Sequence, residues 1–90
     1  MNLDLSREAL NLLKETASSP SAEFTRINSG RSVKFECNGH TLNDPESVRS
    51  TSDWEEALIQ LLANEFIEES SDGIYRVTKL GVEYADSHLK

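Results

Sequence analysis

The sequence has only one cysteine, Cys37, so no disulfide can form within the chain. Its first residues lack the basic segment followed by an apolar one that marks a secretory signal. No apolar run approaches the roughly 20 residues that cross a bilayer, and glycine-rich phosphate-binding loops are also missing. These absences argue against secreted, membrane-bound and nucleotide-binding proteins, and they predict a soluble protein of the cytoplasm.

Metal-binding and catalytic residue sets are equally incomplete. Cys37 and His40 lie close together, but Cys37 alternates with Val33 and Phe35 on the predicted inner side of a strand, where a thiol behaves as a small apolar group. Zinc would need further ligands, and the only other imidazole is His88. No combination of base, nucleophile and oxyanion donors can be assembled. We therefore expect a protein that is not an enzyme, with no catalytic residues, cofactor, metal or small-molecule substrate.

Positive charge is scarce. Nine Lys and Arg accompany sixteen Asp and Glu, which gives a net charge of −7. This balance opposes attraction to nucleic acid, because phosphate neutralisation supplies much of the affinity of nucleic-acid binding. The imbalance is greatest in residues 44–66, where Arg49 is the only base among six acids. With 37% hydrophobic residues spread along 90 positions, residues 1–90 are predicted to form a single domain.

The first half of the chain predicts a helix and a β-hairpin. Ser6 is typical of an N-cap, and apolar residues recur at helical spacing through residues 7–17 until a Ser-Ser-Pro break. Residues 23–37 then alternate in polarity around a turn at residues 28–31. A following Asn-Gly turn signal leads into a short third strand over residues 40–42.

A long helix is predicted over residues 45–65. Asp44 and Pro45 are typical of a helix start, while Asp53 with Glu56 can cap a second helix after a stretch of weak propensity. One long helix and two shorter ones therefore both remain open. Several apolar side chains share one face of the helix and are expected to be core: Val48, Trp54, Ala57, Leu58, Leu61 and Leu62.

The end of the chain predicts a second hairpin and a last helix. Strands over residues 66–70 and 74–78 flank a Ser-Asp-Gly turn, and their apolar residues Ile67, Ile74 and Val77 are expected to face the helices. Thr78 can cap the last helix. Four residues of that helix fall near one face: Leu80, Tyr84, Ala85 and Leu89.

From Trp54 to Leu89, the order of these patterns resembles bacterial winged-helix domains. An aromatic-led helix is followed by a strand start at Phe66-Ile67, an Asp72-Gly73 turn, the run Tyr75-Arg76-Val77-Thr78, and Gly81. The resemblance covers under half of the chain. It implies a small α+β winged-helix-like domain with the order helix, β-hairpin, long helix, two-stranded wing and C-terminal helix. Domains of this family usually bind DNA or another protein.

The charges of the predicted fold favour a protein partner over DNA. Groove-reading helices use Arg and Lys to contact guanine and phosphate, and residues 54–65 contain neither. The predicted wing is also mainly acidic. We therefore expect binding to another protein, or self-association as a homodimer, through an acidic helix-and-wing face or through the hairpin. The candidate interaction residues are Glu55, Glu56, Gln60 and Asn64.

Other functions remain open at the level of sequence. A DNA-binding transcriptional regulator is the main alternative, with Arg26, Arg31 and Lys34 of the hairpin as candidate phosphate contacts. A structural domain fused to an effector, or working beside one, is a further possibility. Leu12 and Ile59 lie off the main apolar stripes, and exposure of both would provide a dimer contact.

Overall fold

The computed structural model describes residues 5–28, 30, 33–43 and 48–88, with the backbone alone at residues 48–50. Within these residues, three helices and a five-stranded antiparallel sheet form a small α+β fold. The order along the chain is α1 (Arg7–Ser18), β1 (Glu23–Asn28), β2 (Val33–Cys37), β3 (His40–Thr41), α2 (Val48–Ala63), β4 (Ile67–Ser71), β5 (Ile74–Val77) and α3 (Lys79–His88). None of these helices is long and apolar enough to span a membrane.

The sheet has the strand order β3-β2-β1-β5-β4, so β1 lies at its centre. Phe24 of β1 is opposite Tyr75 of β5, and Arg26 of β1 is opposite Phe35 of β2. The two predicted hairpins therefore belong to one sheet, and β1 joins them. All three helices contact this sheet, and the alternation of side chains leaves its other face uncovered among the described residues.

Aromatic rings fill the space between sheet and helices. Phe24 packs against Phe35 at 6.1 Å between ring centroids and stacks on Tyr75 at 5.2 Å. Trp54 of α2 packs against Phe35 at 6.1 Å and is buried, as the sequence predicted. The remaining buried apolar side chains come from all three helices, from the strands and from the segment between α2 and β4: Ala9, Leu12, Leu13, Cys37, Ala57, Leu58, Leu61, Phe66, Ile67, Val77 and Ala85.

Helix α1 begins where its cap predicts. The Ser6 hydroxyl accepts a hydrogen bond from the Ala9 amide at 3.1 Å. Leu12 is completely buried, so a dimer contact built on an exposed Leu12 is wrong. The reason is that α1 contacts α2 and α3 as well as the sheet, and its buried arc is therefore wider than a single stripe.

Helix α2 is one continuous helix from Val48 to Ala63, without a break near Asp53. The predicted start at Asp44 and Pro45 lies outside the described residues. The helix ends two residues before the expected position, because Glu65 adopts a left-handed conformation with φ 62°. The Glu65 and Phe66 amides then donate to the carbonyls of Leu62 and Leu61 at 3.0 Å, which is the hydrogen-bond pattern of a Schellman cap.

The last hairpin and helix differ from the expectation in which residues face the core. Strand β4 has a register shift between Glu69 and Ser71. On β5, Ile74 lies opposite Thr25 on the sheet face away from the helices, because side chains alternate along the strand and Ile74 is three residues from the buried Val77. The expectation that Ile74 faces the helices is therefore wrong, and its neighbour Tyr75 takes that place.

Helix α3 follows the prediction only in part. Ala85 is buried and Tyr84 packs against the core, as predicted, but Leu80 is 40% exposed and Gly81 is buried. The close approach of α3 to the Phe66 carbonyl explains this choice, because only a small residue fits there. Leu89 lies outside the described residues.

Candidate interaction surface

Of the four candidate interaction residues, Glu55 and Glu56 point away from the core of α2. Glu56 is exposed and Glu55 is half-buried. The Glu55 carboxylate accepts a hydrogen bond from Nε of Arg26 at 2.5 Å, and the two side chains keep 37% and 27% exposure. This ion pair ties the outer side of α2 to the end of β1.

Gln60 and Asn64 contact the backbone of the protein itself. The Gln60 side-chain oxygen accepts from the Ser6 amide at 2.8 Å, which connects α2 to the start of α1. The side-chain amide of the buried Asn64 donates to the Gln60 backbone carbonyl at 2.9 Å, at the end of α2. Both side chains therefore satisfy backbone groups, and they are not placed with Glu55 and Glu56.

The structure does not bring the described basic residues of the first hairpin together. Arg26 shares the helix-facing side of the sheet with Phe24, whereas Lys34, next in sequence to Phe35, lies on the opposite side. Arg31 falls outside the described residues. Sequence alternation could have shown this separation, because Arg26 has the same parity as Phe24 and Lys34 the opposite parity to Phe35.

Tyr75 marks the place where the acidic parts of α2 and of the β4–β5 hairpin meet. Burial raises the pKa of its hydroxyl above 10.0, and the negative charges of Glu69, Glu55 and Asp72 raise it further, while Arg26 acts in the opposite direction. Glu69 and Asp72 belong to the hairpin, and Glu55 belongs to α2. These carboxylates are therefore close enough to act on one phenol, and Arg26 is the cation that acts there.

Arg26 is held firmly in its charged form. Its hydrogen bond to Glu55 raises the pKa of the guanidinium, and the negative charge of Glu55 adds to this effect, against a lowering by burial. A guanidinium engaged in this way has less capacity to bind an external phosphate. Arg76 of β5 lies on the far face of the sheet and pairs with Glu23 at 3.0 Å.

Two apolar side chains lie next to these acids on α2. Ile59 is 60% exposed and Leu62 is 38% exposed. They follow Glu55 by four and seven residues, which places all three on one side of the helix. We name this area the helix–hairpin surface; it consists of Glu55, Glu56, Ile59 and Leu62 of α2 together with Glu69, Asp72 and Tyr75 of the hairpin. Sequence reasoning missed Leu62, Glu69 and Tyr75 as parts of one surface.

A shallow cleft of about 170 Å³ lies between the end of α1 and the β2–β3 turn. It is lined by Glu15, Ser18, Ser19, Cys37, Asn38, His40 and Leu42. The buried Cys37 thiol donates a weak hydrogen bond to the Glu15 carbonyl, with 3.7 Å between sulfur and oxygen. Among the described residues, no three His, Cys, Asp or Glu side chains are grouped so that they could hold a metal ion.

Comparison with known proteins identifies no relative of this chain. No protein-family model, no curated protein and no solved structure matches the chain.

Proposed function

We propose that this protein is a non-enzymatic, winged-helix-like module of the bacterial cytoplasm that binds another protein through its helix–hairpin surface. In this interpretation α2 corresponds to the family's recognition helix and the β4–β5 hairpin to its wing. The observation that carries the proposal is that Arg26 connects the two elements: its Nε donates to Glu55 of α2 at 2.5 Å, and its backbone amide donates to the carbonyl of Gly73, next to Asp72 in the hairpin turn, at 2.7 Å. Two elements separated along the chain thereby form one acidic surface.

The sign of this surface supports a basic protein partner. Complementary charge increases the rate of encounter and discourages partners of the wrong sign. The same sign opposes DNA, because phosphates would meet glutamates on α2 and on the hairpin. The first hairpin gives no compensation among its described residues, since Arg26 is paired with Glu55 and Lys34 lies on the other side of the sheet.

The charge also favours a different protein over a second copy. A symmetric dimer places the same patch of both chains against itself. Glu55, Glu56, Glu69 and Asp72 of one copy would then meet the same residues of the other, and like charges in contact are costly. A partner with Lys and Arg on its contact face avoids this repulsion.

An NMR titration of the isotopically labelled protein at low salt tests the proposal. One sample receives a flexible peptide of alternating lysine and glycine, and a second receives a mixed-sequence DNA duplex. We expect the peptide to shift the amide signals of the helix–hairpin surface, with shifts that disappear as salt is added. The duplex is expected to leave these signals in place.

Matched variants identify the surface. The double variant Glu56→Gln and Glu69→Gln should weaken peptide binding more than Glu15→Gln with Glu36→Gln, although both remove two negative charges. Equal weakening by both would show that net charge alone attracts the peptide, and would contradict the proposal. Duplex binding at the hairpin would instead support the regulator hypothesis.

A further inference from the structure

An apolar ridge runs along the outer side of α2. Ile59, Leu62 and Ala63 are all exposed, and Ile59 is the most exposed of the large hydrophobic residues in the described part of the chain. Their spacing of three and four residues places them on one side of the helix. An isolated exposed apolar residue is common, but neighbouring ones on a helix indicate a contact area.

Acidic side chains border this ridge. Glu55 and Glu56 precede it by about one turn, and Glu65 follows it at the end of the helix. No Lys or Arg occurs between Thr51 and Ala63. Arg49 is ten residues before Ile59, which corresponds to about 15 Å along the helix axis. Arg26 of β1 already pairs with Glu55, so a ligand on the ridge places its own charges next to Glu56 and Glu65.

The ridge favours a helical ligand over an extended one. The backbone of α2 is already hydrogen-bonded within the helix, so the ridge presents only side chains. An extended segment lying there would gain no backbone hydrogen bonds from α2, whereas a helix already satisfies its own backbone groups. Packing of one helix along another also fits the i, i+3 and i, i+4 spacing of the exposed residues.

We propose that the α2 ridge binds an amphipathic helix of a partner protein, whose apolar stripe covers Ile59 and Leu62 and whose flanking Lys and Arg side chains pair with Glu56 and Glu65. This inference rests on the proposed function and deepens it, because it names the structure and the chemistry of the partner segment. A second copy of α2 does not fit, because it would bring the same carboxylates into contact.

Three synthetic peptides of about 18 residues, or five helical turns, test the inference. The first has a leucine stripe flanked by lysines, the second has the same stripe flanked by glutamates, and the third has the composition of the first in an order without a stripe. We expect the first peptide to bind the full chain most tightly in a fluorescence anisotropy titration. It should also become helical on binding, as measured by circular dichroism.

A matched pair of substitutions locates the contact. Ile59→Thr should weaken binding of the first peptide roughly tenfold, because an apolar contact of this size is lost. Ile27→Thr makes the same chemical change at an exposed residue on the far face of the sheet, and it should leave the affinity unchanged. Thermal unfolding of both variants shows whether each one is folded.

Two results would overturn the inference, and they differ from those that overturn the proposed function. In the first, the striped and unstriped lysine peptides bind with equal affinity and both shift signals of the helix–hairpin surface. That result would refute the helical ligand, while the proposal of an acidic binding surface would still hold. Tight binding of the glutamate peptide, or unchanged binding by Ile59→Thr, would also refute it. Shifts confined to other surfaces would refute both proposals together.

Discussion

Asn43 replaces a missing piece of strand at the edge of the sheet. Strand β3 covers only the end of β2, where Cys37 is opposite His40. Beyond it, the buried Asn43 side chain accepts from the Phe35 amide at 2.9 Å and donates to the Val33 carbonyl at 2.7 Å. A single side chain thus satisfies two backbone groups that a longer strand would otherwise pair. Its role depends on tertiary contacts, so residue type alone did not reveal it.

Tyr75 predicts how stability responds to alkaline pH. Its pKa is raised in the folded state, so the folded protein keeps the phenolic proton to a higher pH than the unfolded chain, whose tyrosine has a pKa near 10.0. This contribution to stability is fully present below about pH 10 and is lost as pH rises through the folded pKa. We expect the unfolding free energy to fall more steeply above pH 10 in the wild type than in Tyr75→Phe.

Urea unfolding at a series of pH values between about 8 and 11 measures this difference, because lysines titrate equally in both proteins and cancel. The absorbance change on tyrosine ionisation, taken as wild type minus Tyr75→Phe, gives the pKa in the folded state directly. Identical slopes in the two proteins would mean that folding does not perturb this hydroxyl.

At the scale of elements, the end of α2 and the start of α3 are joined by close contacts. The Thr78 hydroxyl accepts from the Gly81 amide at 3.1 Å, which caps α3 as the sequence predicts, and it donates to the Glu65 carbonyl at 2.6 Å. Gly81 lies directly against the Phe66 carbonyl. One hydroxyl and one missing side chain therefore set the spacing between these helices.

Gly81→Ala is expected to destabilise the protein by about 1–3 kcal/mol, the usual cost of overpacking. The added methyl group would lie against the Phe66 carbonyl oxygen and 2.8 Å from Cγ1 of Val77. Gly39→Ala is the control, because Gly39 has φ 82° and no neighbour within 4 Å, so it reports backbone strain without crowding. Chemical unfolding of both variants measures the costs, and an unchanged stability in Gly81→Ala would contradict this account of Gly81.

The elements themselves were largely predictable because their signals are local. The Ser6 cap, the helical spacing of α1 and α2 and the three turns depend on residues close in sequence. The pairing of β1 with β5 was not predictable in this way, since the alternation of side chains within a strand does not show which distant strand it pairs with. The register shift in β4 likewise has no clear sequence signal. The outward position of Ile74 did have one, because Ile74 and Val77 are three residues apart and therefore lie on opposite faces of one strand.

The candidate surface was predictable only in part, for a related reason. Helical spacing correctly placed Glu55 and Glu56 away from the core, because residues that lie off the apolar stripe of α2 point away from the sheet. The same spacing could not show that Gln60 binds the Ser6 amide, or that Leu62 is 38% exposed at the margin of the stripe. Those outcomes depend on where α1 and the sheet lie against α2.

For the molecule as a whole, the net charge of −7 predicts a stabilising effect of salt. Mutual repulsion of excess carboxylates destabilises a compact state, and added salt shortens the range of that repulsion. We expect the melting temperature to rise by a few degrees between low ionic strength and about 0.5 M sodium chloride.

The variant Glu56→Lys provides the comparison for this prediction. It exchanges one negative for one positive charge and so changes the net charge from −7 to −5. Its exposed position on α2 makes a packing effect small. The melting temperature of this variant, followed by circular dichroism, should rise less with salt. A fall in the wild-type melting temperature would show that attractive pairs such as Arg26–Glu55 outweigh the general repulsion.

The central position of β1 has a consequence for the newly made chain on the ribosome. Its neighbour β2 follows at once, but β5 is complete only after Val77. At translation speeds of about 5–20 residues per second, synthesis from the end of β1 to the end of β5 takes roughly 2–10 s, and one edge of β1 is unpaired during this interval. During that time the edge can pair with another nascent chain, and the arrival of β5 ends this exposure.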